Sequence, residues 1–348
     1  MDNALTQKEQ AIATLAAFEA KGDTAGLKKA ARAALDGQHL TVNEAKEVLT
    51  HLYAYTGFPR SLNALGTLQS LLSEREAAGT HDADGTQATP LPADYDALAE
   101  GTKVQTRLTG GKPFSYTFAP ATDYYLKAHL FGDIFARDVL SHAEREIATV
   151  AALAAMPDVT PQLKAHIAGS RNMGVTDAQL HALPEVLAKR VGDTEAYRAA
   201  KAVAETLGED FHGGKPIEVA IFPKGEPNTA YAKYFTGNSY LAPVLTEGKL
   251  PIHNVTFEPR CRNNWHIHHK AGQVLVCVGG EGWYQEWGKP ARRLRTGDAV
   301  NIAPEVKHWH GATASSWFAH LAIEVPAEGS SNEWLEPVSD EEYDALGN

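Results

Sequence analysis

Cysteine is scarce in this sequence. Only Cys261 and Cys277 occur among 348 residues, and they do not form a Cys-x-x-Cys pair. A disulfide framework and a dithiol redox motif are therefore both excluded. Cys277 lies in an apolar, β-branched run, where we expect it to pack as a small apolar residue.

Positive charge and long hydrophobic runs are also in short supply. The chain has 32 Lys and Arg against 43 Asp and Glu, a net charge of −11. This balance argues against a general binder of nucleic acid or membrane surfaces. No run approaches the length of a membrane span, and the polar start, Met1 to Lys8, lacks an apolar signal core. These absences predict a soluble, cytoplasmic protein of two or three domains.

The N-terminal part of the chain predicts a duplicated helical domain. Residues 1–75 and 125–208 are alanine-rich, and each segment contains two helix-start signatures in the same order. Caps that recur in register indicate an internal duplication. Residues 76–124 form the polar connecting segment between the copies. The four signatures are Thr6-x-x-Glu9, Thr41-x-x-Glu44, Ser141-x-x-Glu144 and Thr176-x-x-Gln179.

Strand signals and a histidine pattern dominate residues 209–348, beginning at residues 217–223. His266 and His268 are two residues apart, so a strand points both imidazoles to the same face. Gln273 opens a β-branched run that closes with glycines, and His308 follows a later strand. Three imidazoles and one amide oxygen converge if these strands close into a small antiparallel barrel. Trp309, beside His308, is expected to point outward, and the tail with Trp334 is expected to reach a neighbouring chain.

These residues resemble the two cupin motifs. His266-x-His268-x4-Gln273-x6-Gly280 fits the first motif with Gln in the usual Glu position, and Gly297-x5-Ala303-Pro304-Glu305-x2-His308 resembles the second. The resemblance implies a double-stranded β-helix, or jelly-roll, barrel. It also implies a divalent transition metal held by His266, His268, Gln273 and His308. Imidazole donors suit Zn, Mn, Fe, Ni or Co.

The glutamine has a chemical consequence. A glutamate ligand would partly neutralise a divalent ion, whereas the neutral amide of Gln273 leaves its full double charge. The site is then expected to favour a small anionic metabolite and to act as a stronger Lewis acid.

The helical segments resemble the carboxymuconolactone decarboxylase family, which has the alkyl hydroperoxidase D-like fold. Glu44-x-x-Glu47-x3-His51 with Tyr53-x-Tyr55-x-Gly57 and Arg145-Glu146 with Gln162-Leu-Lys-Ala-His166 carry the likeness, over about residues 1–75 and 125–190. The resemblance implies a homo-oligomer, since helical domains of this family commonly form rings. The peroxidase branch uses a cysteine pair, which this helical region lacks, so thiol peroxidase chemistry is not expected.

The helical part contains candidate acid–base residues. Glu47 and His51 share one face of a helix, where a carboxylate can orient an imidazole for proton transfer. The family likeness adds His166. Neither copy is complete alone, so either the copies pool one site at their interface or the helical part serves as a scaffold.

The sequence therefore predicts a multidomain α + β protein whose helical domain is fused to a cupin barrel. The favoured function is a metal-dependent enzyme acting on a small carboxylated or lactone-like molecule, with decarboxylation as the candidate reaction. Tyr284, His310 or His320 would move a proton. A non-catalytic ligand-binding or assembly protein and an Fe-dependent cupin dioxygenase remain as alternatives.

Overall fold

The computed structural model describes residues 4–211, 213–217, 221–247 and 250–347. The chain divides into two compact units, Met1–Phe211 and His212–Asn348. The first unit is helical and the second is a curled antiparallel sheet, so the fold class expected from the sequence is confirmed. Among the described residues, no helix combines the length and the apolar character needed to cross a membrane.

The helical unit consists of consecutive helices interrupted by one π-helix, Tyr125–Ile134. Its α-helices are α1 Gln7–Lys21, α2 Thr24–Asp36, α3 Val42–His51, α4 Tyr53–Thr56, α5 Phe58–Ala77, α6 Ala97–Leu108, α7 Pro120–Tyr124, α8 His142–Ala154, α9 Thr160–Asn172, α10 Asp177–Arg190 and α11 Asp193–Leu207.

Local capping fixes where the repeated helices start. All four sequence signatures form capping boxes, in which the N-cap hydroxyl accepts from a backbone N–H and the later Glu or Gln accepts from the N-cap N–H. Glycines in the left-handed conformation, Gly22 and Gly208, end α1 and α11. Equivalent helices of the two copies therefore begin at matching positions.

The two copies share one hydrophobic core. α1 packs on α8, and the side chains between them, such as Ile12, Leu15 and Val150, are almost completely excluded from solvent. Alanines on both helices allow the close approach, since a small side chain keeps the helix axes near each other. The core therefore joins the copies into a single unit.

The connecting segment is more ordered than the polar sequence from Gly79 to Gly111 suggests. It contains α6, which packs on the π-helix at two glycines. A Cβ atom at Gly101 would lie 1.8 Å from the Lys127 carbonyl oxygen, and one at Gly132 would lie 2.2 Å from the Ala97 carbonyl oxygen. The close backbone contact at these glycines packs α6 against the π-helix, which the polar composition of the segment does not predict.

The barrel unit is built from short antiparallel strands around one long strand. The expected strand at residues 217–223 includes residues 218–220, which lie outside the described part of the chain. The described strands are β1 Glu226–Pro227, β2 Phe235–Thr236, β3 Ser239–Leu245, β4 Ile252–Phe257, β5 Arg262–Asn263, β6 His266–His269, β7 Gln273–Glu286, β8 Arg292–Arg295, β9 Ala299–Ile302, β10 His308–Ala312, β11 Phe318–Glu324 and β12 Ser331–Trp334.

The long strand β7 closes the barrel by belonging to both of its walls. Its first half pairs with β9 and β11, and its second half pairs with β8 and β10. The strand turns at Gly280, which has a φ of 68°. A Cβ atom there would lie 1.8 Å from the Trp317 carbonyl oxygen, so the bend requires glycine.

The surroundings of two tryptophans differ from those that the sequence suggests. Trp309 is fully buried, because the C-terminal helix α12, Asp340–Asp344, covers that face of the barrel and places Tyr343 against it. Trp334 does not extend away from the barrel, because β12 pairs with β6. Its ring stacks on His266 with ring centroids 4.7 Å apart. Long-range strand and helix packing decided both positions.

Candidate metal centre and a second polar cluster

Three histidines meet on two adjacent strands of the barrel. Along β6 the burial alternates, so His266 and His268 are buried while Ile267 and His269 are more exposed. β10 pairs with β6 so that His308 lies opposite His266. Ring centroids of His266 and His308 are 4.0 Å apart, and His268 lies 5.2 Å from His266 and 5.3 Å from His308. The structure thus brings the three predicted imidazoles together.

The surroundings of these rings fix which nitrogen is free. Each Nδ1 faces an oxygen acceptor, so Nδ1 donates and Nε2 keeps its lone pair, the form that binds metals. The contacts are 3.0 Å from His266 Nδ1 to the Asn264 carbonyl oxygen, 2.7 Å from His268 Nδ1 to Asn332 Oδ1 and 2.9 Å from His308 Nδ1 to the Val306 carbonyl oxygen.

Several inward-facing atoms have no hydrogen-bond partner. Among the described residues, this is the case for His268 Nε2, His308 Nε2 and Gln273 Oε1, all of which are buried. Buried polar atoms are nearly always paired in native proteins. Imidazole nitrogen and amide oxygen are atoms that bind transition metals, so the chemistry of these residues fits such an ion.

Electrostatics favours neutral imidazoles here. Burial lowers the pKa of His266 well below its usual value and lowers the pKa of His308 to about 4. Neighbouring imidazoles act in the same direction, because two close positive charges repel. Both rings are therefore unprotonated at neutral pH, as a metal ligand must be.

His310 is a fourth histidine close to this group. Among the described residues, the ring nitrogens that lie within 4.8 Å of one another are those of His266, His308 and His310, and this close group leaves out His268. However, His310 Nδ1 lies 3.2 Å from His320 Nε2, and its Nε2 lies 3.1 Å from Asn263 Nδ2. Both nitrogens are thus engaged, and His268 offers the free one.

A cavity of about 400 Å³ lies beside these residues within the barrel unit, and His308 is not among the residues that line it. His266, His268, Gln273, His310 and His320 line it. The apolar side of the cavity includes Phe235, Leu241, Val255 and Trp334. Polar and apolar walls in one cavity of this size suit a small organic molecule.

The predicted proton carriers differ in their placement. His310 and His320 face the cavity and contact each other, and burial lowers the pKa of His320 to about 4. Tyr284 is not among the residues that line the cavity, and its hydroxyl lies 3.3 Å from Glu286 Oε1. Burial raises its pKa, so this phenol stays protonated.

Asn332 is a site residue that the sequence interpretation missed. It orients His268 from β12, and its Nδ2 donates to Glu324 Oε1 at 3.2 Å. Asn332 and His268 lie far apart in the chain, and no short motif links them. Only the pairing of β12 with β6 brings them together.

The helical unit contains a second buried polar cluster. Glu146 of α8 is fully buried, and its Oε2 lies 2.8 Å from His166 Nδ1 of α9. The ring of Tyr55, from the first copy, lies 5.4 Å from that of His166. Glu146 Oε1 and the Tyr55 hydroxyl have no hydrogen-bond partner among the described residues.

His51 joins this cluster from the first copy. Its Nε2 lies 2.9 Å from Thr149 Oγ1 of the second copy, and the residue is completely buried. Burial and the nearby Arg145 cation lower its pKa well below the usual value. Residues of both copies thus meet in one cluster.

The expected pairing of Glu47 with His51 does not form. Glu47 instead accepts hydrogen bonds from Arg145 and Arg137, because the buried Arg145 guanidinium needs a counter-charge. Glu44 closes the capping box with Thr41 and contacts Lys8 at 2.7 Å. The two glutamates therefore serve the architecture of the helices.

One protein-family model matches part of the helical unit. Residues 120–205 match the carboxymuconolactone decarboxylase family. The chain is 37% identical over 115 residues to an (R)-mandelonitrile lyase from Granulicella tundricola, a match that spans 32% of this chain and 87% of that protein.

Solved structures that resemble this chain include cupins. A cupin-like protein from Thermotoga maritima has 38% identity and a TM-score of 0.34, with 36% of this chain and 96% of that chain covered. A cupin 2 conserved barrel domain protein from Rhodopseudomonas palustris has 15% identity and a TM-score of 0.28, with 33% and 77% covered.

The helical unit contains a carboxymuconolactone decarboxylase family domain at residues 120–205, and the barrel unit resembles cupin structures. Both resemblances recognised in the sequence are confirmed.

Proposed function

We propose that this protein is a metal-dependent lyase that cleaves a carbon–carbon bond of a small molecule inside the barrel. The observation that carries the proposal is the group of buried, unpaired ligand atoms on His268, Gln273 and His308 beside a cavity with two further histidines. The named activity of the Granulicella tundricola relative makes a cyanohydrin the first substrate class to consider.

Four side chains would hold the metal, namely those of His266, His268, Gln273 and His308. When bound, the ion supplies Lewis-acid polarisation of a substrate oxygen. The three Nδ1–H groups donate to oxygens of Asn264, Asn332 and Val306, which leaves the lone pair of each histidine on Nε2.

The pair His310 and His320 would handle the proton. Burial keeps both imidazoles neutral at pH 7, so a substrate hydroxyl that displaces one of their present hydrogen bonds would meet a ring nitrogen that can accept its proton. For a cyanohydrin, the O–H bond gives its electrons to a new carbonyl while the carbon–carbon bond breaks and its electron pair leaves with cyanide. The histidine then returns the proton to cyanide, which leaves as hydrogen cyanide.

A carboxylated substrate is the second candidate, and Gln273 favours it. The neutral amide does not offset the charge of a divalent ion, so an anionic group gains from binding beside it. Decarboxylation of a carboxylated lactone or keto acid also breaks a carbon–carbon bond. One assay panel therefore covers both substrate classes.

The test compares variants in the two units. His308→Ala should abolish release of hydrogen cyanide and benzaldehyde from (R)-mandelonitrile, or of CO₂ from a carboxylated lactone. His166→Ala is the matched control and should leave turnover within a few-fold of wild type, since it removes an imidazole from the helical cluster. If His166→Ala costs on the order of 10²-fold or more while His308→Ala is active, the reaction belongs to the helical cluster and the proposal fails.

A further assay separates the lyase from an oxygenase. The iron-loaded protein should convert the same substrates without consuming O₂. Stoichiometric O₂ uptake would instead assign dioxygenase chemistry to the barrel. If the protein binds the metal and the substrates but does not turn them over, its function is ligand binding and not catalysis.

We propose that the helical unit assembles copies of this chain. Its surface exposes large aromatic side chains, including Phe58, Phe118 and Tyr125. Exposed aromatic rings that lie side by side, as those of Tyr124 and Tyr125 do with centroids 5.7 Å apart, are typical of subunit contacts. Light scattering of the purified protein should give a mass of several chains, and the double variant Phe118→Ser/Tyr125→Ser should reduce it. A monomeric wild type would refute this assignment.

A further inference from the structure

A second cavity lies in the helical unit, in a place that the proposed reaction does not use. It has a volume of about 580 Å³ and is formed by α1, α2 and α10. Ala11 and Thr14 of α1, Ala30 of α2 and Arg190 of α10 contribute to its wall.

The internal duplication relates this cavity to the Glu146–His166 cluster. Counted from the N-caps Thr6 and Ser141, Ala11 of α1 occupies the position of Glu146 in α8, and Thr14 occupies that of Thr149. The matching leucines Leu27 and Leu163 place Ala30 of α2 at the position of His166 in α9.

The cavity and the polar cluster also correspond in the residue that the other copy contributes. Counted from the N-caps Thr41 and Thr176, Arg190 occupies the position of Tyr55. The residues at the three matching positions all line the cavity. It is therefore the duplicated counterpart of the buried polar cluster.

The substitutions between the copies change both space and charge. In the second copy, Glu146 and His166 form a contact of 2.8 Å, and those side chains occupy the site. In the first copy both positions are alanine, which leaves open space and removes the acid and the base. Arginine in place of tyrosine adds a positive charge.

Positive charge predominates around the cavity. Lys29, Lys189 and Arg190 line it, against the single carboxylate of Asp23, which already accepts a hydrogen bond from the Gly26 N–H at 2.8 Å. Arg190 Nη2 donates to the neutral Gln10 side chain at 2.7 Å. In the described part of the chain, neither lysine has an ion-pair partner, so the cations are available to an anion.

The remaining wall is largely apolar. Ala33, Ala34 and the ring of Phe18 complete it, and the hydroxyl of Thr14 is bonded to its own helix at the Gln10 carbonyl, 2.6 Å away. A ligand that fits this lining has an apolar body and one negatively charged end.

We infer that the cavity of α1, α2 and α10 binds a small organic carboxylate with a compact apolar body. The carboxylate would lie at Arg190 and Lys189, and the body against the alanines that stand where the second copy has its acid–base pair. This inference is independent of the reaction proposed for the barrel.

Calorimetric titration of the full-length protein with benzoate tests the inference. Wild type should bind benzoate saturably. Ala30→Leu should abolish binding by filling the cavity, and Lys189→Gln/Arg190→Gln should weaken it by about tenfold or more, as expected for lost charge-assisted hydrogen bonds. Lys28→Gln is the matched control, because Lys28 is also on α2 but pairs with Glu74 at 2.6 Å, and it should bind benzoate as wild type does.

Three outcomes would overturn the inference. They are no saturable binding of benzoate by wild type, equal affinity for the neutral analogue benzyl alcohol, and loss of binding in His308→Ala with full binding in Ala30→Leu. The last result would place benzoate in the barrel. If Ala30→Leu does not fold, as judged by circular dichroism, benzoate binding is measured on Lys29→Gln/Lys189→Gln instead. Both lysines are exposed, so their replacement leaves the core intact, and this variant should bind benzoate more weakly than wild type.

Discussion

Glu47 of α3 accepts a hydrogen bond from the Arg145 guanidinium of α8 at 2.6 Å, and this ion pair joins the two copies of the helical repeat. Both residues are buried, Arg145 completely. Arg137 adds a second guanidinium contact to the same carboxylate at 2.8 Å. The first copy thus contributes a buried negative charge and the second a buried positive charge, and each neutralises the other.

We expect Glu47→Ala to destabilise the protein by about 3–5 kcal/mol, because it leaves the buried Arg145 cation without its counter-charge. The double variant Glu47→Leu/Arg145→Met should recover most of that loss, since it removes both charges and keeps the volume. Urea unfolding measures the free energy. Glu74→Ala, at a solvent-exposed ion pair, is the control and should have little effect. Equal destabilisation of single and double variants would contradict this account.

The metal content of the barrel should depend on His268. The purified protein is expected to contain about one transition-metal ion per chain, and His268→Ala should lose most of it because Nε2 of this residue is an unpaired ligand atom. Elemental analysis gives the stoichiometry. The neighbouring His269 contacts Glu305 and Glu333 outside the cavity, so His269→Ala should retain the metal. The same metal content in both variants would remove His268 from the site.

Glu19 should make the stability of the helical unit depend on pH. Burial raises the pKa of this carboxyl group to about 8, although a hydrogen bond from Thr56 at 2.9 Å opposes the shift. The folded state therefore holds its proton more tightly than the unfolded state, and stability present below the unfolded pKa is lost as pH rises towards 8. The slope is at most about 1.4 kcal/mol per pH unit.

Urea unfolding of wild type and Glu19→Gln between pH 5 and pH 8 checks this sign. The amide cannot ionise, so the variant should lose less stability than wild type as the pH rises. Glu74→Gln should follow wild type. The same loss of stability in wild type and Glu19→Gln would show that the carboxyl group is already ionised in the folded protein.

Replacing both cysteines should not change any turnover of peroxides. Cys261 and Cys277 are buried, and burial raises the pKa of each thiol to about 12, so neither is a thiolate at neutral pH. The variant Cys261→Ser/Cys277→Ser and wild type should be compared in a peroxide consumption assay. A large decrease in the variant would show that a reactive thiol exists.

The features that the sequence predicted correctly depend on neighbouring residues. A capping box needs only a hydroxyl and a carboxylate or amide three residues apart, and all four predicted boxes form. The alternation of a strand likewise places His266 and His268 on one face without any knowledge of the rest of the barrel. Local geometry determines both features.

The features that the sequence did not predict depend on residues far apart in the chain. Trp309 follows the alternation rule of its strand, yet it is buried because α12 covers that face. Glu47 and His51 share a helix face, but Arg145 of another helix takes the carboxylate. In each case a distant element supplied a partner that local periodicity does not encode.

The pairing of β12 with β6 has a consequence for the order of events during synthesis. The ribosome makes His266 and His268 well before Asn332, whose side chain fixes the His268 ring at 2.7 Å, and before Trp334, which covers His266. A nascent chain that ends at β11 already has every proposed metal ligand, but it lacks the strand that orients His268 and covers His266. Tight capture of the metal must therefore wait until the strand after β11 has been translated and folded back.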